Sequence, residues 1–169
     1  VFSKKGMDFG SMLLAETVIK ENESFDGSIL DLGCGYGPIG VILAGFLKNS
    51  SVAMSDVNER ALELCLMNVK ENKVGDRVKI IKSSAFESID ESFDVIVTNP
   101  PIRAGKDVVF SFYEGAFKHL KSGGKLYVVI QKKQGAPSTS TKLKEIFGNC
   151  EVSDKKSGYF IFRAEKNMS

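Results

Sequence analysis

Apolar residues fall along the chain in short blocks, alternately strand-sized and helix-spaced, divided by Gly, Asn, Asp and charged residues. Met12, Leu13, Ala15, Val18 and Ile19 recur at helical spacing and predict a helix over 11–21. Ser28–Leu32 reads as a buried strand, 35–37 as a turn, and Pro38–Leu47 as a helix with proline in its first turn. Ser51–Ser55 is a second strand, followed by a helix over 58–72 capped by Asp56 or Asn58. Val78–Lys82 and Phe93–Thr98 are further strands. A helix over 107–120 should stop at Lys121-Ser122-Gly123-Gly124, before a fifth strand over 125–131. The polar stretch 135–141 reads as a loop and 141–147 as a short helix. Segments 151–154 and 158–164 read as a closing hairpin around Lys155-Lys156-Ser157.

The early strands alternate with helices and lack a polar face. That pattern predicts an α/β domain whose mostly parallel sheet is covered on both sides. Ligands of such sheets sit beyond the carboxyl ends of the strands. Four marked segments follow strands on that one edge: 31–37, Asp56-Val57, 83–86 and 99–102. Their convergence on one rim points to a site more firmly than any one motif does.

Composition narrows the class. A chain of 169 residues, 43% hydrophobic and 26% charged, suits one soluble domain over 1–169. No apolar run approaches the roughly 18 residues that span a bilayer, and the start, Val1-Phe2-Ser3-Lys4-Lys5, has no signal-peptide core. The start also lacks Met, so residues before Val1 are not excluded. Three scattered cysteines without metal-ligand spacing predict reduced thiols in a cytoplasmic protein, with no metal. A net charge of +2 does not by itself announce a nucleic-acid binder. Lys132-Lys133, with Lys142 and Lys144 beyond, is either a phosphate-contacting edge or a solvated face.

Gly35-Tyr36-Gly37-Pro38-Ile39-Gly40 fits the GxGxxG dinucleotide pattern, with Asp56 about 20 residues on. Two details oppose a nicotinamide reading. Asp31 stands just before the glycines, where a carboxylate disfavours a pyrophosphate but favours an ammonium group. Nothing later resembles a hydride-transfer apparatus, whereas Asn99-Pro100-Pro101-Ile102 at the end of an apolar strand asks for a role. Asp31-Leu32-Gly33-Cys34-Gly35-Tyr36-Gly37 resembles the first motif of class I S-adenosylmethionine-dependent methyltransferases. The resemblance implies a three-layer Rossmann-like fold, with a seven-stranded mostly parallel sheet and an antiparallel C-terminal hairpin. It implies S-adenosylmethionine as cofactor, held by Asp31, Gly33, Cys34, Gly35 and Gly37. Asp56 would take both ribose hydroxyls, which suits a carboxylate facing a vicinal diol, or would serve as a helix cap. Val57, Ser84, Ala85 and Phe86 fall where the family contacts adenine; many members carry an acid at the position of Ala85.

Asn99-Pro100-Pro101-Ile102 resembles the (Asn/Asp)-Pro-Pro-(aromatic) motif of methyltransferases that act on amine nitrogens, with Ile102 replacing the aromatic. An exocyclic amine is a poor nucleophile because its lone pair is delocalised. Acceptors at Asn99 and Pro100 can line up its hydrogens and favour the charge that develops on nitrogen. Taken with Gly6-Met7-Asp8-Phe9-Gly10-Ser11 and Arg103-Ala104-Gly105-Lys106, the chain is similar to the small-subunit ribosomal RNA guanine-N2 methyltransferases, in single catalytic-domain form. That likeness implies that residues 1–24 form a helical segment covering the cofactor through Asp8 and Phe9. It also implies that Asn99 touches cofactor as well as substrate, that Arg103 and Lys106 contact substrate, and that the partner is ribosomal RNA or the small subunit. Three alternatives stay open: methylation of a protein glutamine amide, a non-catalytic cofactor-binding subunit, and a nicotinamide-binding Rossmann protein. His119 reads as a helix-end residue rather than a catalyst, and Phe110, Phe112, Tyr113 and Phe117 as core.

Overall fold

The computed structural model describes residues 8–167. Twelve elements run α1 (Phe9–Glu21), β1 (Ser28–Leu32), α2 (Pro38–Phe46), β2 (Ser51–Asp56), α3 (Glu59–Glu71), β3 (Val78–Lys82), β4 (Phe93–Thr98), α4 (Lys106–His119), β5 (Leu120–Gln131), α5 (Ala136–Phe147), β6 (Glu151–Lys156) and β7 (Tyr159–Glu165). They build one seven-stranded sheet in the order β3-β2-β1-β4-β5-β7-β6. The first five strands are parallel, and β7 pairs antiparallel with both β5 and β6. Chain order reverses between β1 and β4, so the crevice opens there.

Side chains alternate across each strand, and the two faces separate cleanly. Ile29, Met54, Val97 and Tyr127 pack under α1, α2 and α3, while Leu30, Leu32, Ile96 and Leu126 pack under α4 and α5. Strands buried on both faces read as near-continuous apolar runs, hence the plain Phe93–Thr98 signal, interrupted by the half-buried Asp94.

Three expectations need correction. The helix does end within one residue of the expected place, at His119, but 121–124 is not a separate stop ahead of the fifth strand. Strand β5 starts at Leu120, because Gly123 N–H donates to the Lys166 carbonyl at 2.6 Å and Gly124 accepts from Lys166 N–H at 2.8 Å. The 135–141 stretch is not a loop but the front of α5. Pro137 lies in that helix's first turn, and buried Thr139 meets the Tyr113 hydroxyl at 3.0 Å, which supplies the tertiary support the local sequence lacks. The hairpin turn is Ser157-Gly158, both with positive φ as a tight primed turn requires, so Lys155 and Lys156 belong to β6. Residues 1–7 of the expected 1–24 covering segment, with Gly6 and Met7 of its motif, lie outside the described residues.

Candidate active site

Beyond the carboxyl ends of β1, β2 and β4 lies a cleft of about 740 Å³, a size that suits a small-molecule cofactor. Gly33, Asp56, Val57, Ser84, Ala85, Phe86, Asn99 and Pro101 line it. Asp31, Cys34, Gly35, Gly37, Pro100, Ile102, Arg103 and Lys106 are not among the residues that line it.

The glycine loop is shaped from two sides. Gly33 and Gly35 have φ of +72° and +58°, which residues with a Cβ adopt at a cost, so the loop can bend tightly at the head of β1. Gly37, which also has a positive φ of +97°, and Gly40 matter for space, since a Cβ there would fall 2.7 Å from Cys65 Sγ and 2.5 Å from Met54 Cε respectively. The loop is tied to β2. Gly35 N–H donates to Asp56 Oδ2 and Asn58 N–H donates to Oδ1, each at 2.9 Å, and Cys34 N–H donates to the Ser55 carbonyl at 2.7 Å. Asp56 therefore anchors the loop while lining the cleft. The cap of α3 is Asn58, whose Oδ1 accepts from Ala61 N–H at 3.0 Å. The Cys34 thiol is held far above its ordinary pKa, first by Cys65 and then by burial, which makes it packing rather than a nucleophile.

Asp31 is 1% exposed and accepts from Gly40 N–H at 2.9 Å, meeting an otherwise unpaired donor in the first turn of α2. Burial pushes its carboxyl up to about 7, the Gly40 N–H opposes this, and the Asp56 charge adds to the rise. The stability consequence has a definite sign. Between the unfolded value of about 3.9 and the folded value of about 7, folding takes up a proton. Stability is therefore lost as pH rises through that window, by about 1.4 kcal/mol per pH unit, and the loss is constant above it. Asp31→Asn keeps an acceptor for Gly40 without the charge. In urea titrations it should gain on the parent protein between pH 5 and pH 8; a parent-to-variant gap independent of pH would refute the assignment.

At the far end of the cleft the tetrapeptide is rigid. Ile102 N–H donates to the Pro100 carbonyl at 2.9 Å around Pro101, whose φ of −79° and ψ of 79° make an inverse γ-turn. That carbonyl keeps its second lone pair. Ile102 packs against the α4/α5 core and is not on the cleft wall; Ala104 and Val108 are.

Asp8 caps α1. Its Oδ1 accepts from Ser11 N–H at 2.8 Å, and its Oδ2 accepts from the Ser11 hydroxyl at 3.1 Å. The hydroxyl, committed as a donor to Asp8, accepts from Asn99 Nδ2 at 3.1 Å. This relay fixes which way the Asn99 amide faces. One N–H of the amide nitrogen is committed to Ser11, and the oxygen has no partner among the described residues. Asp8 thus acts through Ser11 in the structure, and Phe9 lies tilted against Tyr159 with ring centroids 5.6 Å apart.

The α4 wall carried little sequence signal. Phe112, Gly115 and His119 all line the cleft. Phe86 lies against Gly115, where a Cβ would fall 2.4 Å from its ring, and stacks on His119 with centroids 4.3 Å apart. The His119 ring nitrogens lie 2.8 Å from the Gly115 carbonyl and 2.9 Å from the Ile89 carbonyl, so this histidine ties the 83–89 loop to α4. Periodicity places such residues on a helix but does not say that their face borders a cavity. Among the described residues no cluster of three metal-ligating side chains occurs, and no helix is long and apolar enough to cross a membrane.

The family model described as Methyltransferase small domain matches residues 1–163. The chain belongs to this family of methyltransferases. The family's methyl donor is S-adenosylmethionine, and the cleft fits it: an acidic side chain stands at the end of β2, a bent glycine loop lies beside it, and the buried Ser55 hydroxyl on the cleft wall has no partner. The Bacillus subtilis (strain 168) protein YbxB, of uncharacterized activity, is 51% identical over 168 residues, covering 98% of this chain and 82% of that protein. Ribosomal RNA small subunit methyltransferase C of Erwinia tasmaniensis is 32% identical over 174 residues, covering 100% of this chain and 48% of that protein. The Thermus thermophilus 16S rRNA N2 G1207 methyltransferase, solved with AdoMet and guanosine, superposes with a TM-score of 0.84 at 27% identity, covering 99% of this chain and 45% of that one. This methyltransferase chain therefore spans about half the length of those two ribosomal RNA enzymes.

Proposed function

We propose that this chain is a cytoplasmic enzyme that transfers the methyl group of S-adenosylmethionine to N2 of a guanine in small-subunit ribosomal RNA. One observation carries the reading. The Asn99 amide is oriented by one N–H donated to the Ser11 hydroxyl, which leaves its oxygen as a free acceptor on the cleft. That is the polarity required to receive an –NH2 group rather than to donate to a carbonyl. The likeness to a structure solved with AdoMet and guanosine supports the same ring and the same cofactor.

Bound S-adenosylmethionine supplies an electrophilic methyl on a positive sulfur. Asn99 Oδ1 and the free lone pair of the Pro100 carbonyl draw the two amine hydrogens, which orients the nitrogen and favours its developing positive charge. The product sheds its proton after transfer, so no side chain need act as a strong base. Phe86, Val57 and Ala85 offer an apolar slot for adenine, and Asp56 keeps unused lone pairs for the ribose diol. A guanine presented here must be unpaired or flipped out of its stack.

A second reading is methylation of a glutamine side-chain amide, which has the same planar –C(=O)NH2 geometry. It is favoured by Ile102, which is turned onto the core and gives the tetrapeptide no aromatic stacking surface. The two readings part in one assay. The protein is incubated with methyl-labelled S-adenosylmethionine and, separately, with naked small-subunit RNA, assembled subunits and ribosomal protein. N2-methylguanosine in digests of RNA or subunits supports the first reading; label confined to protein overturns it.

A further inference from the structure

The ends of β5, β6 and β7 bring together cations that the methyl-transfer chemistry leaves unused. Register sets them side by side. Gln131 pairs with Tyr159 and Tyr159 with Lys156, so the C-terminal end of β5 and that of β6 flank the start of β7. Lys132 N–H then donates to the Gly158 carbonyl at 2.8 Å, which ties the segment after β5 to the hairpin turn. Lys132, Lys133, Lys155 and Lys156 are all exposed there. Arg103 and Lys106, also exposed, follow β4 on the same edge of the sheet.

Among the described residues none of these six has a carboxylate within 4.0 Å, whereas Lys79, Lys82, Lys121 and Lys142 all do. Two nearby acids are not paired with the group. Asp154 Oδ1 accepts from the Lys155 backbone N–H at 2.8 Å, and Asp107 lies in the first turn of α4, where the helix dipole favours it. The cofactor half of the rim has the opposite character, with Asp56 and Glu87 on the cleft wall. Lysines on an edge strand also discourage strand addition, which would explain Lys155 and Lys156. It does not explain Lys132 and Lys133, which follow an interior strand.

We infer that the Lys132-Lys133 and Lys155-Lys156 corner is a phosphate-binding track for RNA flanking the target nucleotide. This rests on the proposed RNA substrate. Neighbouring strands lie about 4.8 Å apart, so Lys132-Lys133 stand one strand step and Lys155-Lys156 three steps, about 15 Å, across the sheet from the end of β4, within the span of a few nucleotides. Contacts of this kind position the strand without reading sequence. Their energy comes from counterion release, so it is salt-dependent.

The test uses the full chain and four proteins: the parent, K132A/K133A/K155A/K156A, and the two double variants K132A/K133A and K70A/K73A, the last at the opposite end of the sheet. Binding of a fluorescent single-stranded RNA is measured by anisotropy over a salt series, and S-adenosylmethionine binding by calorimetry. For the quadruple variant we expect RNA affinity at least about 10-fold weaker and a slope of log K against log salt shallower by about 3, at about 0.7 per lost phosphate contact. K132A/K133A should show about half of that change in slope, and K70A/K73A none. Unchanged cofactor binding establishes that the site is intact. In methyl transfer the quadruple variant should raise KM for RNA with kcat within about twofold. Parent-like RNA affinity and salt slope in the quadruple variant would overturn the track. If N2-methylguanosine is then still made, the proposed function survives that loss. RNA binding that depends on the lysines, in a protein that labels only protein amides, would uphold the track and reject the proposed function.

Discussion

Asn99→Ala should abolish practical turnover, lowering kcat by about 10²- to 10³-fold, the scale seen when one charge-stabilising partner is removed from a reacting centre. Affinity for S-adenosylmethionine should stay within about twofold, because the groups proposed to hold adenine and ribose lie at the end of β2 and on the 83–86 loop. The variant removes the oxygen that Ser11 leaves free and the nitrogen that Ser11 holds. Asn99→Asp makes the comparison sharper. It keeps an oxygen acceptor, but it faces the Ser11 hydroxyl with a second acceptor when that hydroxyl is already donating to Asp8. Ser11→Ala should lower kcat by about 10-fold with little change in cofactor binding, since the amide can then rotate and present nitrogen to the amine. Single-turnover methyl transfer at saturating cofactor reads kcat, and calorimetry reads binding. An Asn99→Ala protein that retains near-parental turnover would remove Asn99 from the reaction. A Ser11→Ala protein with parental kcat would leave the relay as a helix-capping feature only.

How much of this was legible depended on whether the signal was local. Mostly apolar runs such as Phe93–Thr98 and the Gly33-Cys34-Gly35-Tyr36-Gly37 turn carry their conformation in their own residues. The structure places them at the element ends that the sequence suggests. The front of α5 was not legible, because Pro137, Ser138 and Thr139 look like loop residues until Tyr113 is found against Thr139. The start of β5 was hidden for a similar reason. Gly123 and Gly124 are helix-stop residues by type, yet Lys166, more than forty positions later, holds them in the sheet. In the site, the loops at the strand ends were marked by unusual residues, whereas the α4 wall was not. Gly115 reads as a poor helix residue until Phe86 is seen to occupy its missing Cβ. The Asp8-Ser11-Asn99 relay links positions 88 residues apart at its longest step, and no short motif encodes it. The motif around Asp8 was visible, but its link to Asn99 through Ser11 was not.

The second large effect concerns Asp56. Its two oxygens carry about four lone-pair sites, and Gly35 N–H and Asn58 N–H use two of them. The remaining two suit the 2′ and 3′ hydroxyls of a ribose. Asp56→Ala removes both functions together: the acceptors for the diol and the pin that holds the glycine loop to β2. Hydrogen bonds to a charged group contribute about 1.5–3 kcal/mol each, so losing the diol pair alone should weaken S-adenosylmethionine by about 100-fold or more. At saturating cofactor, kcat should stay within a few-fold of the parent, since Asn99 and Ser11 belong to other elements. Asp56→Asn should be nearly as damaging, because its amide N–H must face either Gly35 N–H or Asn58 N–H, donor against donor. A cofactor analogue without the 2′-hydroxyl separates the two functions by calorimetry. If Asp56 accepts from the diol, the analogue's handicap, large in the parent, should nearly vanish in Asp56→Ala. If Asp56 works only as the loop pin, parent and variant should show the same handicap, and hydrogen exchange at Gly35 N–H should account for the lost affinity. Parental affinity of Asp56→Ala for the natural cofactor would remove Asp56 from the site altogether.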